Sequence, residues 1–144
     1  WVVLLVTLLA SPAWLLAQST THKQNLASGS RIMHEGDQNV YLVMDGRRHL
    51  IPDPMTYRRL FKNWDNIQRD NALFKQLREG EPLSTQAMLA KSSNSDVVYL
   101  LDGMRHKHAI GSLDVFNQLG FDQDNIVIFP PDLLNTVPNA TAIE

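Results

Sequence analysis

The sequence contains no cysteine, so disulfide bonds, thiolate metal sites and thiol nucleophiles are excluded. It also has no excess of basic residues, because 13 Lys and Arg stand against 15 Asp and Glu. Proteins that bind nucleic acid carry a basic face that displaces counterions, so we predict no nucleic-acid partner. The seven glycines are scattered, without a Gly-x-Ser-x-Gly elbow or a glycine-rich phosphate loop. These absences favour a protein that is not an enzyme and binds no cofactor.

Charge is absent from the first 17 residues, "WVVLLVTLLASPAWLLA". The segment is typical either of a membrane-spanning anchor or of a secretory signal. As a helix it would reach about 25 Å, slightly less than the ~30 Å hydrocarbon core of a bilayer. We favour a single-pass transmembrane anchor over residues 1–17, with Trp1 and Trp14 at the lipid interface. Both interpretations place the remainder on the periplasmic or extracellular side of the cell membrane.

Residues 18–30, "QSTTHKQNLASGS", are polar and small, with no hydrophobic periodicity. Such a composition is typical of a linker. We therefore expect the folded part of the chain to begin near Arg31.

The folded part contains two similar stretches, "VYLVMDGRRHLI" at residues 40–51 and "VYLLDGMRHKHAI" at residues 98–110. The pairs that match around the two Asp-Gly turns are Tyr41 with Tyr99, Asp45-Gly46 with Asp102-Gly103, Arg48 with Arg105, and His49 with His106. After a slip of register, a constant offset pairs Ile51 with Ile110, Tyr57 with Phe116, and Leu60 with Leu119. Self-similarity over this length predicts two tandem repeats, at residues 31–86 and 87–144.

Each repeat has signals for the same short elements. Asp-Gly after a β-branched and aromatic run predicts a hairpin, which would place Tyr41 across from His49 and Tyr99 across from His106, with a bulge in the first turn. Asp53 before Pro54, and Ser112 in the second repeat, are typical helix N-caps. A short strand after Asn-Ile and a closing helical turn follow. We predict an α+β fold in which the apolar helix precedes two units of hairpin, short helix and strand.

This order of a Val-Tyr-Leu strand, an Asp-Gly turn, a basic strand ending in Ile, a cap and an aromatic helix resembles small tandem repeats of exported and cell-surface bacterial proteins. Such repeats occur notably in Chloroflexota and some cyanobacteria. The resemblance covers most of residues 31–143 and implies an exported, repeat-built accessory domain without catalytic residues. The sequence departs from the pattern at Phe61-Lys62, where the second repeat has Gly120-Phe121.

Basic residues cluster on the returning strands and on the first helix, and two tryptophans mark the apolar segment. The candidate partner-binding residues are Trp1, Trp14, Arg47, Arg48, His49, Arg58, Arg59, Arg105, His106, Lys107 and His108. A cationic patch of this kind would recognise an acidic protein, a lipid headgroup or an anionic wall polymer. The alternative is a mixed charged surface balanced by nearby carboxylates.

His106 and His108 are two residues apart and would lie on one side of a strand, a spacing that suits a metal ion with His49 or Asp102 as a third ligand. The neighbouring cations Arg105 and Lys107 argue against it, and we predict no metal site. Asp45 and Asp102 are explained by their turns.

We therefore predict a non-enzymatic, membrane-anchored, extracytoplasmic accessory or scaffold subunit. It would dock on a larger membrane protein complex, and the resemblance to repeats of phototroph genomes suggests a photosynthetic or respiratory one. The alternative is a surface module that binds cell-wall or extracellular polysaccharide through aromatic rings and basic strands. The aromatic candidates for sugar stacking are Tyr41, Tyr57, Trp64, Tyr99 and Phe116, although strand and helix-face positions favour the core.

Overall fold

The computed structural model describes residues 26–103 and 105–144, and in these ranges it contains two β-sheets and four α-helices. The predicted α+β class is confirmed. The predicted anchor at residues 1–17, with Trp1 and Trp14, lies outside the described residues. Among the described elements, none of the helices has the length and apolar character needed to span a bilayer.

The first sheet has five strands in the order β4-β1-β2-β3-β5. Its strands are β1 (Arg31–Met33), β2 (Tyr41–Met44), β3 (Arg47–Leu50), β4 (Gln68–Arg69) and β5 (Arg78–Glu79), and its helices are α1 (Pro54–Leu60) and α2 (Asn71–Gln76). Strands β1, β2 and β3 are antiparallel, whereas β4 and β5 pair in parallel at the two edges. Strand β1 had no counterpart among the sequence predictions.

The second sheet has four strands in the order β8-β7-β6-β9. Its strands are β6 (Met88–Ser92), β7 (Val98–Leu101), β8 (Lys107–Ala109) and β9 (Val127–Phe129), and its helices are α3 (Leu113–Gln118) and α4 (Pro131–Asn135). A parallel bridge from Lys107 to Asn139 occupies the place that β5 holds beside β3. The two sheets therefore carry their elements in the same order.

Both predicted hairpins are present, but their predicted register is wrong. Tyr41 pairs with Leu50, and Tyr99 pairs with Ala109. Leu42 faces His49 and Leu100 faces His108, so His49 corresponds to His108 and not to His106. By the same register Arg48 corresponds to Lys107.

The cause of this error is the length of the two connections. Only Asp45 and Gly46 join β2 to β3, with φ of 52° and 66°, as a type I′ turn requires. Five residues, 102–106, separate β7 from β8. The extra length thus lies in the second connection and not in a bulge of the first.

The predicted N-caps are also present. The side chain of Asp53 accepts a hydrogen bond from the Thr56 backbone N–H at 2.7 Å, and Ser112 accepts one from Val115 at 3.1 Å. Helix α1 ends without glycine because Phe61 is extended, with φ of −123°. There it forms an antiparallel bridge with Phe121.

One core is shared by both sheets, and a smaller cluster lies on the outer side of each. The shared cluster includes Leu42, Tyr57, Leu60, Phe61, Leu89, Leu100, Phe116, Phe121 and Ile143. Alternate residues of β2 and β7 face outward, where Val43 packs with Leu73 of α2 and Leu101 packs with Leu134 of α4. This period of two is the expected behaviour of strands buried on both faces.

The described end of the predicted linker, residues 26–30, contacts the first sheet. The Gly29 N–H donates to the Val43 carbonyl at 2.7 Å, and the Val43 N–H donates to the Ser30 carbonyl at 2.8 Å. Leu26 packs against the outer cluster under α2. These five residues are therefore part of the folded unit.

Candidate binding cleft

A cleft of about 1170 Å³ lies where the two hairpins meet. Five of the predicted partner-binding residues line it, namely Arg47, His49, Arg105, His106 and His108. Four carboxylates line it as well, from Asp45, Glu79, Glu81 and Asp102. The fold thus brings together basic strands that are about sixty residues apart in the sequence, and it places four acidic side chains beside the five basic ones.

His49 and His108 make the same contact in the two halves of the fold, each half being one sheet with its helices. The His49 Nδ1 lies 2.8 Å from the Glu81 carbonyl oxygen, and the His108 Nδ1 lies 2.9 Å from that of Thr141. A carbonyl oxygen only accepts, so Nδ1 carries the proton in each ring. Each imidazole therefore holds the last segment of its own half against the hairpin.

Asp102 orders the connection between β7 and β8. Its carboxylate accepts from the His106 backbone N–H at 2.8 Å, and its other oxygen lies 3.2 Å from the His106 Nδ1. The same oxygen lies 3.9 Å from the His108 Nε2. The Ser84 N–H donates to the Asp102 carbonyl at 3.3 Å, which ties the end of the first half to this loop.

The charges of the cleft are largely balanced. Arg105 pairs with Glu81 at 3.2 Å, and both side chains are mostly exposed, so the pair adds little to stability. Arg47 donates to the Glu79 carbonyl at 3.4 Å. The cleft is therefore a mixed charged surface, which was the alternative to a cationic patch.

Arg48 and Lys107 lie on the other faces of their sheets, outside the cleft. The Arg48 guanidinium sits 4.4 Å from the centre of the Phe74 ring and donates to the carbonyls of Phe74 and Leu77. The Lys107 ammonium donates to the Leu134 carbonyl at 2.8 Å and is buried. These two cations donate hydrogen bonds to backbone carbonyls at the carboxyl ends of α2 and α4, where carbonyls without a helical partner attract positive charge.

Arg58 and Arg59 also lie apart from the cleft, on the exposed side of α1. Arg59 donates to the Thr85 carbonyl at 2.6 Å, and the Arg58 carbonyl accepts from the Asn125 side chain at 2.8 Å. The predicted basic cluster is thus divided among several surfaces. For Arg48 and Lys107 the sequence signal was their position beside His49 and His108 on β3 and β8, because neighbouring residues of a strand point to opposite faces.

The aromatic residues considered for sugar stacking occupy different environments. Tyr57 and Phe116 are buried in the shared core, and Tyr41 and Tyr99 are half-buried beside the outer clusters. Trp64 is 46% exposed and stacks on the Tyr57 ring.

Within residues 26–103 and 105–144, no group of three or more His, Cys, Asp or Glu side chains has the arrangement of a metal site. His106 and His108 do approach one carboxylate, that of Asp102, on the side of β8 opposite Lys107.

Comparisons of the chain with protein-family models, with curated proteins and with solved structures found no match.

Proposed function

We propose that this protein is a non-enzymatic, membrane-anchored accessory or scaffold subunit. Its folded part, outside the cytoplasm, docks on a larger membrane complex, for which a photosynthetic or respiratory assembly is the candidate. The observation that carries the proposal is the cleft between the hairpins, where predicted binding residues from both halves share one surface.

The exposed groups of the cleft suit a protein partner of alternating charge. Arg47, Arg105 and Glu81 are exposed, and they bring both signs of charge to one rim. Complementary charge at a rim contributes specificity and association rate more than affinity. A partner segment that carries both acidic and basic residues fits this surface.

Two of the three histidines of the cleft support binding over catalysis. A histidine that acts as a general base needs a free ring nitrogen within reach of its substrate. The Nδ1 atoms of His49 and His108 are both engaged with backbone carbonyls, and the His49 Nε2 is enclosed. Because the same contact recurs in both halves, its role is structural.

The test is co-purification of the full chain from native membranes in a mild detergent, with native gel separation and mass spectrometry. We expect the wild-type chain to migrate with a large complex and to retain residues 1–17. Arg47→Glu with Arg105→Glu reverses two charges at the rim and should release the chain from the complex.

The matched control is Arg69→Glu with Lys75→Glu, which reverses two exposed charges outside the cleft and should leave the association unchanged. A wild-type chain that migrates alone, or an equal loss of association in both double variants, would contradict docking through the cleft.

The second candidate is a module that binds wall or extracellular polysaccharide, and the exposed ring of Trp64 favours it. Aromatic faces stack on sugar rings, and Trp64 is held flat against Tyr57 at a centroid distance of 3.7 Å. Retention of the full chain on wall material, lost in Trp64→Ala and kept in Arg47→Glu with Arg105→Glu, would favour this function over the first.

A further inference from the structure

The two halves differ at the surface beside their first helices. In the first half the Trp64 indole lies parallel to the Tyr57 ring, at an interplanar angle of 6°. The space that remains there is about 210 Å³. Beside α3 in the second half, the corresponding groove is about 560 Å³ and open.

The two grooves are built from corresponding residues. Tyr57 of α1 corresponds to Phe116 of α3, and both rings are buried. On the strand side, Ile51 donates to the Val40 carbonyl at 2.9 Å, and Ile110 donates to the Val98 carbonyl at the same distance. All of these residues line their respective grooves.

At the position of the indole the correspondence ends. Counting on from Tyr57 and Phe116 by the same number of residues reaches Trp64 in the first half and Gln123 in the second. Both residues line their grooves. The second half thus has the apolar site for a ring beside Phe116 without a ring of its own.

The rim of the second groove is both apolar and polar. Leu113 is 66% exposed and Val97 is 42% exposed, and because both line the same groove they form an apolar surface of the kind that marks interaction sites. Asp96 and Lys91 lie 4.0 Å apart at the same rim. A carboxylate there can accept a hydrogen bond from an indole N–H or a phenol.

We propose that this groove binds the tryptophan or tyrosine side chain of a polypeptide partner. The site shares no lining residue with the cleft, so this inference goes beyond the proposed function. The protein itself supplies the precedent, because the equivalent groove of the first half already holds the side chain of a tryptophan.

The neighbouring edge strand identifies the partner as polypeptide. Ile126 lines the groove and directly precedes β9, whose outer edge pairs with no other strand within residues 26–103 and 105–144. Val127 and Ile128 are 43% and 61% exposed, whereas the corresponding edge strand β4 is Gln68-Arg69. An apolar edge strand accepts an extended segment through backbone hydrogen bonds, with alternate side chains in pockets.

The test is chemical-shift mapping on the ¹⁵N-labelled full chain in detergent micelles, titrated with N-acetyl-tryptophanamide and with N-acetyl-leucinamide. We expect the tryptophan probe to shift the amides of Val97, Phe116 and Ile126, with affinity roughly ten-fold above that of the leucine probe. Shifts spread over the whole surface, or located only at Trp64 or in the cleft, would overturn the proposal.

Gln123→Trp supplies the missing ring from within the chain. We expect its indole to stack on Phe116, to abolish binding of the tryptophan probe and to raise Tm by roughly 4 °C. The control is Asn135→Trp, which adds an exposed indole on α4 and should leave probe binding unchanged. Equal probe binding by Gln123→Trp and the wild type would refute the site.

A second pair keeps the test decisive if Gln123→Trp does not fold. Leu113→Asp at the rim should weaken binding of the probe at least about ten-fold, whereas Leu133→Asp on α4, also exposed, should not. Arg47→Glu with Arg105→Glu should bind the probe as the wild type does. Failure of docking through the cleft is thereby distinguished from failure of the aromatic site.

Discussion

Arg31 links the two halves through a single buried guanidinium. It is 2% exposed, lies 4.5 Å from the centre of the Phe61 ring and donates to the Tyr57 hydroxyl. It also donates to the carbonyls of Asn63 and Leu119, at 3.0 and 3.1 Å. Burial raises the pKa of the Tyr57 hydroxyl, and the nearby Arg31 charge opposes that rise. The planar fork of the guanidinium serves acceptors from both halves, which a compact ammonium cannot do.

We expect Arg31→Met to lower the free energy of unfolding by about 3 kcal/mol, because it leaves partly buried carbonyls and a phenol without their donor. Arg31→Lys should recover only part of this loss. Urea denaturation followed by circular dichroism measures both, with the exposed Arg78→Met as the control. A loss in Arg31→Met no greater than in Arg78→Met would contradict the role of this guanidinium.

The strands of the two hairpins are joined by connections of different length. Asp45 and Gly46 make the first turn with positive φ at both positions, so the turn depends on backbone conformation alone. The second connection is longer and depends on the Asp102 carboxylate, which binds the backbone and side chain of His106. The longer loop carries His106 and Arg105 to the cleft.

Gly46→Ala should destabilise the protein by about 1 kcal/mol, since a side chain is disfavoured in the left-handed region. Apart from the two adjacent residues, no atom lies within 4 Å of the added methyl group, so the cost is conformational and not steric. Thermal denaturation against Gly111→Ala, where φ is not positive, checks the assignment. Equal Tm values for the two variants would argue against a type I′ turn.

At the scale of the whole molecule, the two sheets depend on one core. The Phe61 and Phe121 rings stack at 5.0 Å. The Lys62 N–H donates to the Gly120 carbonyl at 3.0 Å, and the Asp122 N–H donates to the Leu60 carbonyl at 2.9 Å. Neither half can bury its inner face without the other. The halves are therefore expected to unfold as one cooperative unit.

Phe121→Ala removes one ring of the central stack and should lower the free energy of unfolding by about 4 kcal/mol, by the usual cost of a large core deletion. NMR signals of both halves, for instance from Leu60 and Leu100, should disappear at the same urea concentration. Leu133→Ala, at an exposed site, is the control. First-half signals that outlast those of the second half would show that the halves fold separately.

The amino-acid sequence by itself determined the local elements. The Asp45-Gly46 turn, the caps at Asp53 and Ser112 and the α+β class follow from interactions within a few residues, namely positive φ at a turn and a side-chain oxygen bound to an amide three residues later. The basic strands were likewise identifiable as candidates, and alternation along a strand separates Lys107 from His108.

Only the tertiary structure decided the rest. The register of the hairpins, the strands β1 and β6, and the cleft itself were not predictable from local patterns. Nor were the carbonyls of α2 and α4 that Arg48 and Lys107 bind on the outer faces. Pairing partners for β1 and β6 lie farther along the chain, and a shift of one residue in a connection moves every following side chain to the other face. The groove beside Phe116 is recognised only when the two halves are compared in space. In the first half Trp64 fills the corresponding position, whereas in the second half the groove is open.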